Sequence, residues 1–423
     1  MNSILRFISS LFSERNFTLK NFAFFLLVIF STQYIPLEGR TISLIKVAIM
    51  AIASVVLFTH LRISKALGII FIYIFYIWFT AYFLHSETFR ASTVIYLFLF
   101  LLTYVTFYNL VWKQEVLEID EFIVFLKRFI YVLSIVLILQ QIVHFFGIQY
   151  FPILNMYIDL SDRGLSGNSF SLEPSIFART MGVLYYAYLK CNEYKQDHEV
   201  TIFQILRGEH KTVTLFFLWS MFTMGSGTAF ICLGILSLYF LRGAYMLFAI
   251  PIFVGVFYTL SYFEVRQFQR ASVAVEATMT GDVDEVREAD GSASARIEPV
   301  LNTIHYLDLN DVDAWFGHGV DYGKEHRFDK GKRMIGGISD YGFIAYILTL
   351  VLVFSCVMKF RSLGTIMFFC GVGGTVTNVA YCWGLLMIFT CVRYFHTQMR
   401  LGLLELDDDT DNEEENEENE DEN

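Results

Sequence analysis

The chain has 423 residues, of which 55% are hydrophobic and 17% are charged. Soluble globular proteins carry about 25% charged residues, so this composition excludes an ordinary soluble domain. Apolar runs recur that are long enough for a helix to cross about 30 Å of hydrocarbon. They predict an all-α integral membrane protein.

The formal net charge of −11 comes from one segment. Residues 405–423 contain 13 acidic residues and no basic one, and the rest of the chain has a balance of +2. Like charges at this density repel one another and bury no apolar area. We therefore expect 397–423 to form an acidic, disordered, cytoplasmic tail.

Hydropathy predicts about twelve spans within a polytopic transmembrane domain over 1–396. The start of the chain lacks the pattern of a cleaved signal peptide. The spans lie near 21–37, 41–59, 66–84, 91–111, 129–147, 171–189, 212–224, 228–241, 244–262, 337–358, 362–378 and 380–396.

The distribution of Lys and Arg predicts that both termini are cytoplasmic. With the N-terminus inside, 17 of them fall on inner segments and 5 on short outer loops and outer helix ends. The nine in the longest loop are set aside, because long loops do not follow the positive-inside rule. The two sizeable loops, 148–170 and 263–336, then both face outside.

The first outer loop carries Arg163 and leads into Ser171-Leu-Glu173-Pro174. Ser171 is predicted to be the N-cap of the next helix, with Pro174 in its first turn. Glu173 is then either a structural charge at the positive end of the helix dipole or a functional carboxylate. Arg179 is predicted to face a cavity or a partner, because an ionised side chain in an apolar helix is costly.

The long loop contains Arg296, followed by apolar residues spaced three and four apart, which predict an amphipathic helix. His318 lies between two glycines and is the strongest functional candidate among the loop histidines. Arg333 belongs to a basic cluster that suits lipid headgroups as well as substrate. Asp340 follows one turn inside the next span.

Three negative observations narrow the function. The chain has no P-loop, no Rossmann glycine pattern and no carboxylate or histidine spacing typical of a metal site. We therefore predict no cofactor and no metal. An enzyme on the outer face has no ATP, so it needs an activated substrate such as a lipid pyrophosphate, which arginines bind in a bidentate manner.

The order of several short motifs resembles bacterial O-antigen polymerases of the Wzy type and the related O-antigen ligases. The resemblance covers roughly 160–345. The motifs are Arg163-Gly164, Glu173-Pro174-Ser175-x-x-Ala178, Met224-Gly-Ser-Gly-Thr228, Ser294-x-Arg296, Phe316-Gly317-x-Gly319 and Ile338-Ser-Asp340-Tyr341-Gly342-Phe.

Two positions depart from the family pattern. Ser226-Gly227-Thr228 stands where the family often has Ser-Arg-Thr, so that arginine is missing. Ligases typically have a histidine at the position of Gly331, and its absence here favours a polymerase over a ligase.

The resemblance implies a metal-independent glycosyltransferase with a GT-C-like polytopic bundle in the bacterial inner membrane. It would act in polysaccharide and lipopolysaccharide biosynthesis. Donor and acceptor would be undecaprenyl-pyrophosphate-linked oligosaccharides, and the growing glycan would move to the non-reducing end of a new unit. The resemblance also suggests a chain-length regulator in the membrane as a further partner.

The resemblance also suggests roles for individual residues. Arg296 and the candidate bases Glu173 and Asp340 would serve catalysis, and the remaining candidates would bind pyrophosphate or glycan. We expect Arg296 and the Gly317–Gly319 turn to close over Arg163 and Glu173. The binding candidates are Arg163, Arg179, His318, Arg333 and Tyr341.

Two other functions stay open. An O-antigen ligase shares most of the motifs. A transporter or flippase of lipid-linked oligosaccharides fits a twelve-span count, although few charged residues lie within the predicted spans.

Overall fold

The computed structural model describes most of the helical part of the chain. The described residues are 18–33, 43–148, 151, 154, 166–240, 255, 258, 262, 291–326, 329, 331–332, 334–372 and 380–404. At 291–297, 324 and 370–372 only the backbone is described. The regular secondary structure of the described residues is entirely helical, with no β-strand in these ranges. The acidic segment 405–423 lies outside the described residues. Of the predicted span at 244–262, only residues 255, 258 and 262 are described.

Nine of the described helices precede the long loop. They are α1 (Leu19–Ser31), α2 (Leu44–Thr59), α3 (Lys65–Phe79), α4 (Ala91–Trp112), α5 (Ile119–Phe145), α6 (Pro174–Gln196), α7 (Ile202–Arg207), α8 (Lys211–Thr223) and α9 (Gly227–Phe240). A π-helical turn, Thr80–Leu84, extends α3.

The loop and the last part of the chain contribute six more described helices. They are α10 (Gly291–Tyr306), α11 (Val312–Phe316), α12 (Tyr322–Glu325), α13 (Ile338–Leu352), α14 (Leu363–Val372) and α15 (Ala380–Arg400). The 3₁₀ turn Ile335–Gly337 precedes α13, and the π-helical turn Val353–Val357 follows it.

Four of the described helices are long and apolar enough to cross a membrane: Lys65–Leu84, Ala91–Trp112, Ile119–Phe145 and Ile335–Val357. Large apolar side chains on their outer surfaces are exposed, among them Phe71 and Phe75 on α3. Exposed apolar surface of this kind is suited to lipid. The prediction of an all-helical membrane protein agrees with this architecture, whereas the count of twelve spans stays a prediction.

Helix α15 lies at the centre of the packing. Trp383 is fully buried, and its ring centre lies 5.9 Å from those of Phe100 and Tyr104 on α4. Gly384 allows α1 to approach closely, because a Cβ atom there would lie 2.5 Å from the carbonyl carbon of Phe30. The contact therefore needs a residue without a side chain.

The start of α6 differs from the prediction. Glu173 is the N-cap and Pro174 the first helical residue, so the prediction that Ser171 caps this helix is wrong. The Ser171 N–H instead donates to the Asn168 carbonyl over 2.9 Å, within the preceding turn. Proline has no N–H to be capped and its φ suits the first helical position, so the helix begins at Pro174.

The helix predicted after Arg296 is present as α10, but it begins at Gly291 and so includes Arg296 itself. Leu301 is buried, whereas Val300 and Ile304 are exposed. The Ile335 N–H donates to Thr303 Oγ1 over 3.0 Å, which attaches α10 to the segment that enters α13.

Candidate functional site

Three pairs of helices place the predicted site residues at one end of the bundle. Helices α6 and α15 run parallel, with Arg179 beside Tyr381 and Tyr194 beside His396. Helices α4 and α15 are also parallel, with contacts from Phe100–Trp383 to Trp112–Tyr394. The starts of α4, α6 and α15 therefore lie at the same end.

Helix α13 enters the bundle at this end too. It runs antiparallel to α3, because Tyr73 bonds Thr349 whereas Tyr76 reaches the Tyr341 carbonyl. The end of α3 leads through a short turn into the start of α4. Glu173, Arg179, His318, Asp340 and Tyr341 consequently share one end of the bundle, which we call the site end.

The Trp315–Gly319 turn is fixed against the first turn of α13 by backbone hydrogen bonds. The His318 N–H donates to the Ser339 carbonyl and the Gly319 N–H to the Asp340 carbonyl, both over 3.0 Å. The Tyr76 hydroxyl lies 3.1 Å from the Trp315 carbonyl and 2.8 Å from that of Tyr341. One side chain of α3 thus holds both segments together.

Two glycines make this close approach sterically possible. A Cβ atom at Gly342 would lie 2.0 Å from the Trp315 carbonyl oxygen, and one at Gly317 would lie 2.4 Å from that of Asp340. Both have a φ of +78°, a conformation that favours glycine. The motif glycines are therefore explained by backbone packing.

The Asp340 side chain is anchored on one of its oxygens. Oδ1 accepts a 2.7 Å hydrogen bond from the Gly323 N–H at the start of α12. No described residue donates to Oδ2. The carboxylate thus holds the loop onto α13 and presents one further acceptor atom.

His318 begins a stack of three rings in the loop. Its ring centre lies 4.3 Å from that of Tyr322, which lies 4.2 Å from that of His326. Partial burial lowers the pKa of His318, although the nearby Asp313 carboxylate opposes this effect. We expect a neutral imidazole at pH 7, because its unperturbed pKa is already about 6.5.

The ring stack borders an open cleft of about 230 Å³. Polar and apolar groups line it in nearly equal measure, and its carboxylates outnumber its cations. The ionisable residues that line it are Tyr306, Asp308, Asp311, Asp313, His318 and Lys332. Two of the carboxylates also stabilise the loop itself: Asp308 accepts from the Asn310 N–H, and Asp311 accepts from the Asp313 N–H.

Arg90 ties the same loop to the start of α4. Its Nη1 lies 3.0 Å from Asp321 Oδ2, and its Nη2 also pairs with Glu325. Sequence reasoning counted Arg90 only as an outer-face charge, since pairing across 231 residues leaves no local signal. Tyr76 and Tyr381 were missed for the same reason.

The second group of predicted residues lies on the first two turns of α6. The exposed Glu173 accepts a 3.2 Å hydrogen bond from Ser175 Oγ. Arg179 is half-buried and donates from Nη1 to the Tyr381 hydroxyl over 2.7 Å. Its Nε–H is buried without a hydrogen-bond partner among the described residues.

The structure thus brings the predicted residues together in two groups. His318, Asp340 and Tyr341 form one with the loop, and Glu173 and Arg179 form the other on α6. No described hydrogen bond joins the groups. The Tyr341 ring is half-buried and lies beside Gly337.

Three predicted residues cannot be placed in either group. Arg163 and Arg333 lie outside the described residues, and Arg296 is described only as part of the α10 backbone. The contacts that fix the Gly317–Gly319 turn come from α13 and from His85 and Thr88, not from Glu173. The expected closure over Glu173 is therefore not seen in the described part of the chain.

The described residues include no group of three His, Cys, Asp or Glu side chains arranged to hold a metal ion.

Comparisons with family models, curated proteins and solved structures give no match to this chain. Function has to be inferred from the residues at the site end.

Proposed function

We propose that this protein is a membrane glycosyltransferase that polymerises undecaprenyl-pyrophosphate-linked oligosaccharide repeat units on the outer face of the bacterial inner membrane. The growing glycan would move from its lipid pyrophosphate to the non-reducing end of a new lipid-linked unit. The resemblance of the ordered motifs suggests this reaction. The placement of Glu173 and Arg179 on one helix end supports it.

The observation that carries the proposal is the incomplete hydrogen bonding of the Arg179 guanidinium. Arg179 is half-buried with one donor on Tyr381 and an unpartnered, buried Nε–H. A guanidinium kept in an apolar bundle usually serves an anionic partner. Diphosphate fits this group, since guanidinium N–H donors match phosphate oxygens geometrically.

The reaction requires that negative charge be stabilised as the leaving group departs. The bond between the anomeric carbon of the donor and the pyrophosphate oxygen breaks, and the acceptor hydroxyl oxygen bonds to that carbon. The diphosphate takes the electron pair of the broken bond. Arg179 would stabilise this charge through donors that are already oriented.

A carboxylate has to accept the proton of the acceptor hydroxyl. Glu173 is the better placed candidate, because it is exposed and lies six residues before Arg179. At 1.5 Å per residue this separation is about 9 Å along the helix axis, so both side chains lie at the site end of α6. Asp340 is committed to the Gly323 N–H and is assigned a positioning role.

The decisive experiment uses the purified full chain and the lipid-linked repeat unit of its own host. Wild type should produce a ladder of extended glycans, and Arg179→Gln should lose it. Lys211→Gln alters an exposed cation away from these residues and should leave the ladder unchanged.

Two results would contradict the proposal. One is an absence of any ladder from wild type together with movement of the same lipid across liposomes, which would indicate a flippase. The other is transfer of glycan to lipid A core without polymerisation, which would indicate a ligase.

A further inference from the structure

The end of the bundle opposite the site end carries a group of cations around Arg393. Helix α13 runs from Asp340 at the site end towards Met358, and Arg393 Nη1 donates to the carbonyls of Phe354 and Met358 over 2.8 and 2.9 Å. We call the exposed cations around it the basic patch. Its members are Lys65, Lys113, Lys359, Arg361 and Arg400.

The described part of the chain gives the members of the patch no ion-pair partner. Among the described residues, no carboxylate lies within 4.0 Å of any of its five members. Burial, followed by the charges of Arg400 and Arg393, lowers the pKa of Lys359. Two acids act electrostatically on α15 near the patch: Glu115 acts on Tyr394, and Glu193 acts on His396.

Lys359 is also close to α15 itself. Its Nζ lies 3.2 Å from Nδ1 of His396, one turn before Arg400. The charges at 359 and 400 therefore belong to one continuous surface at the end of α15.

The chain turns back towards this surface after α15. The Leu403 N–H donates to the Gln398 carbonyl over 3.1 Å, and Gly402 has a φ of +65°. This is the pattern of a Schellman ending, in which the chain reverses after the helix. Leu404 then packs against the hydrophobic core.

The acidic segment begins at the very next residue. Residues 405–423 include 13 carboxylates and span at most about 68 Å when extended. The patch is therefore within reach of most of the segment. Tethering gives such a segment a local concentration in the millimolar range, which favours it over free anions.

We propose that the acidic segment 405–423 binds the basic patch of the same molecule as an intramolecular polyanion. The inference does not depend on the glycosyltransferase assignment. Each ion pair at an exposed surface is weak, so the contact depends on many pairs and weakens with salt. The segment would compete there with anionic lipid headgroups.

Cross-linking of the full chain in phosphatidylcholine nanodiscs tests the contact directly. A carbodiimide joins amines to carboxylates only where the two already touch. Mass spectrometry should find amides from Lys359 and Lys113 to residues of 405–423, and their yield should fall several-fold in 1 M NaCl. Lys211 is the matched control, because it is exposed near the same end of the bundle but outside the patch.

A second measurement separates binding from general amine reactivity. Acetylation of Lys359 should become faster in a chain ending at Leu404, and also when the segment's acids are replaced by Asn and Gln. The acetylation rate of Lys211 should not change.

Several outcomes would overturn the proposal. Equal cross-linking of Lys211 and Lys359 would indicate a solvated segment without a binding surface. Unchanged Lys359 acetylation after both modifications, with protection only in phosphatidylglycerol nanodiscs, would identify anionic lipid as the occupant.

Discussion

Arg179 on α6 donates a 2.7 Å hydrogen bond to the hydroxyl of Tyr381 at the first turn of α15. The two residues are 202 positions apart in sequence, so the bond connects two distant helices. The Arg179 Nε–H has no hydrogen-bond partner among the described residues. The bond to Tyr381 orients the guanidinium at the site end while leaving donor capacity for an anion. The first prediction follows from this arrangement.

Replacing Arg179 should reduce catalysis more than substrate binding. Arg179→Gln should lower kcat by about 10²- to 10³-fold, because removing one preorganised donor to a developing charge has an effect of this size. Arg179→Lys should restore only part of the activity, since an ammonium keeps the charge without the planar fork. Steady-state kinetics on the lipid-linked repeat unit would measure both variants.

The contact with Tyr381 provides the control for this experiment. Tyr381→Phe removes the hydroxyl that accepts from Nη1 while keeping the ring. Its loss in kcat should be smaller than that of Arg179→Gln. An equal loss in both variants, with unchanged folding, would show that orientation rather than the charge itself carries the effect.

Glu173 should be required for the chemical step. Glu173→Gln keeps the size of the side chain but removes the basic oxygen, and kcat should fall by about 10²- to 10⁴-fold. The side chain is exposed and makes no side-chain cap bond, so thermal stability should stay close to that of wild type. Full activity of Glu173→Gln would exclude it as the base and redirect attention to Asp340.

The loop's attachment to α13 should depend on Gly342. Gly342→Ala would place a Cβ atom 2.0 Å from the Trp315 carbonyl oxygen, at a φ of +78°. The strain alone should cost about 1–3 kcal/mol, and the clash would displace the Trp315–Gly319 turn. Limited proteolysis within 307–334 should become faster.

Gly68→Ala is the matched control for that substitution. Gly68 lies in α3, and nothing approaches its would-be Cβ within 4 Å. Alanine there should stabilise the helix by about 0.5–1 kcal/mol. Similar proteolysis of both variants would contradict the proposed role of the close approach.

Acidification should loosen the His318 region. Its pKa is lower in the folded protein than in the unfolded chain, so the unfolded state binds the proton more readily. The stabilising contribution is therefore complete above about pH 6.5 and is lost as the pH falls through the lower, folded value. The protection of the 313–326 backbone amides against hydrogen exchange, measured relative to the intrinsic exchange rate at each pH, should fall over that range.

His318→Gln identifies the group responsible. Neighbouring charges at His85, Asp311, Asp313 and Lys332 also act on this histidine, so the single variant is needed. The protection of these amides, relative to the intrinsic rate at each pH, should change less between pH 7 and pH 5 in His318→Gln than in wild type. An unchanged pH response would assign the effect to another group.

The sequence by itself determined the helical, membrane-embedded character of the chain, because long apolar runs are a local property. Local stereochemistry also predicted Pro174 in a first turn and a helix after Arg296. It failed at Ser171, because the backbone donors of that turn are satisfied by Asn168 and Gln33 and the helix begins only at the proline.

Only the tertiary structure decided which residues are neighbours. The motif glycines at 317 and 342 are fixed by a backbone approach across more than twenty residues, and the Arg179–Tyr381 and Arg90–Asp321 contacts cross more than two hundred. Such contacts arise from how the helices pack. Packing depends on the shape of the whole bundle, so no local pattern of residues encodes them.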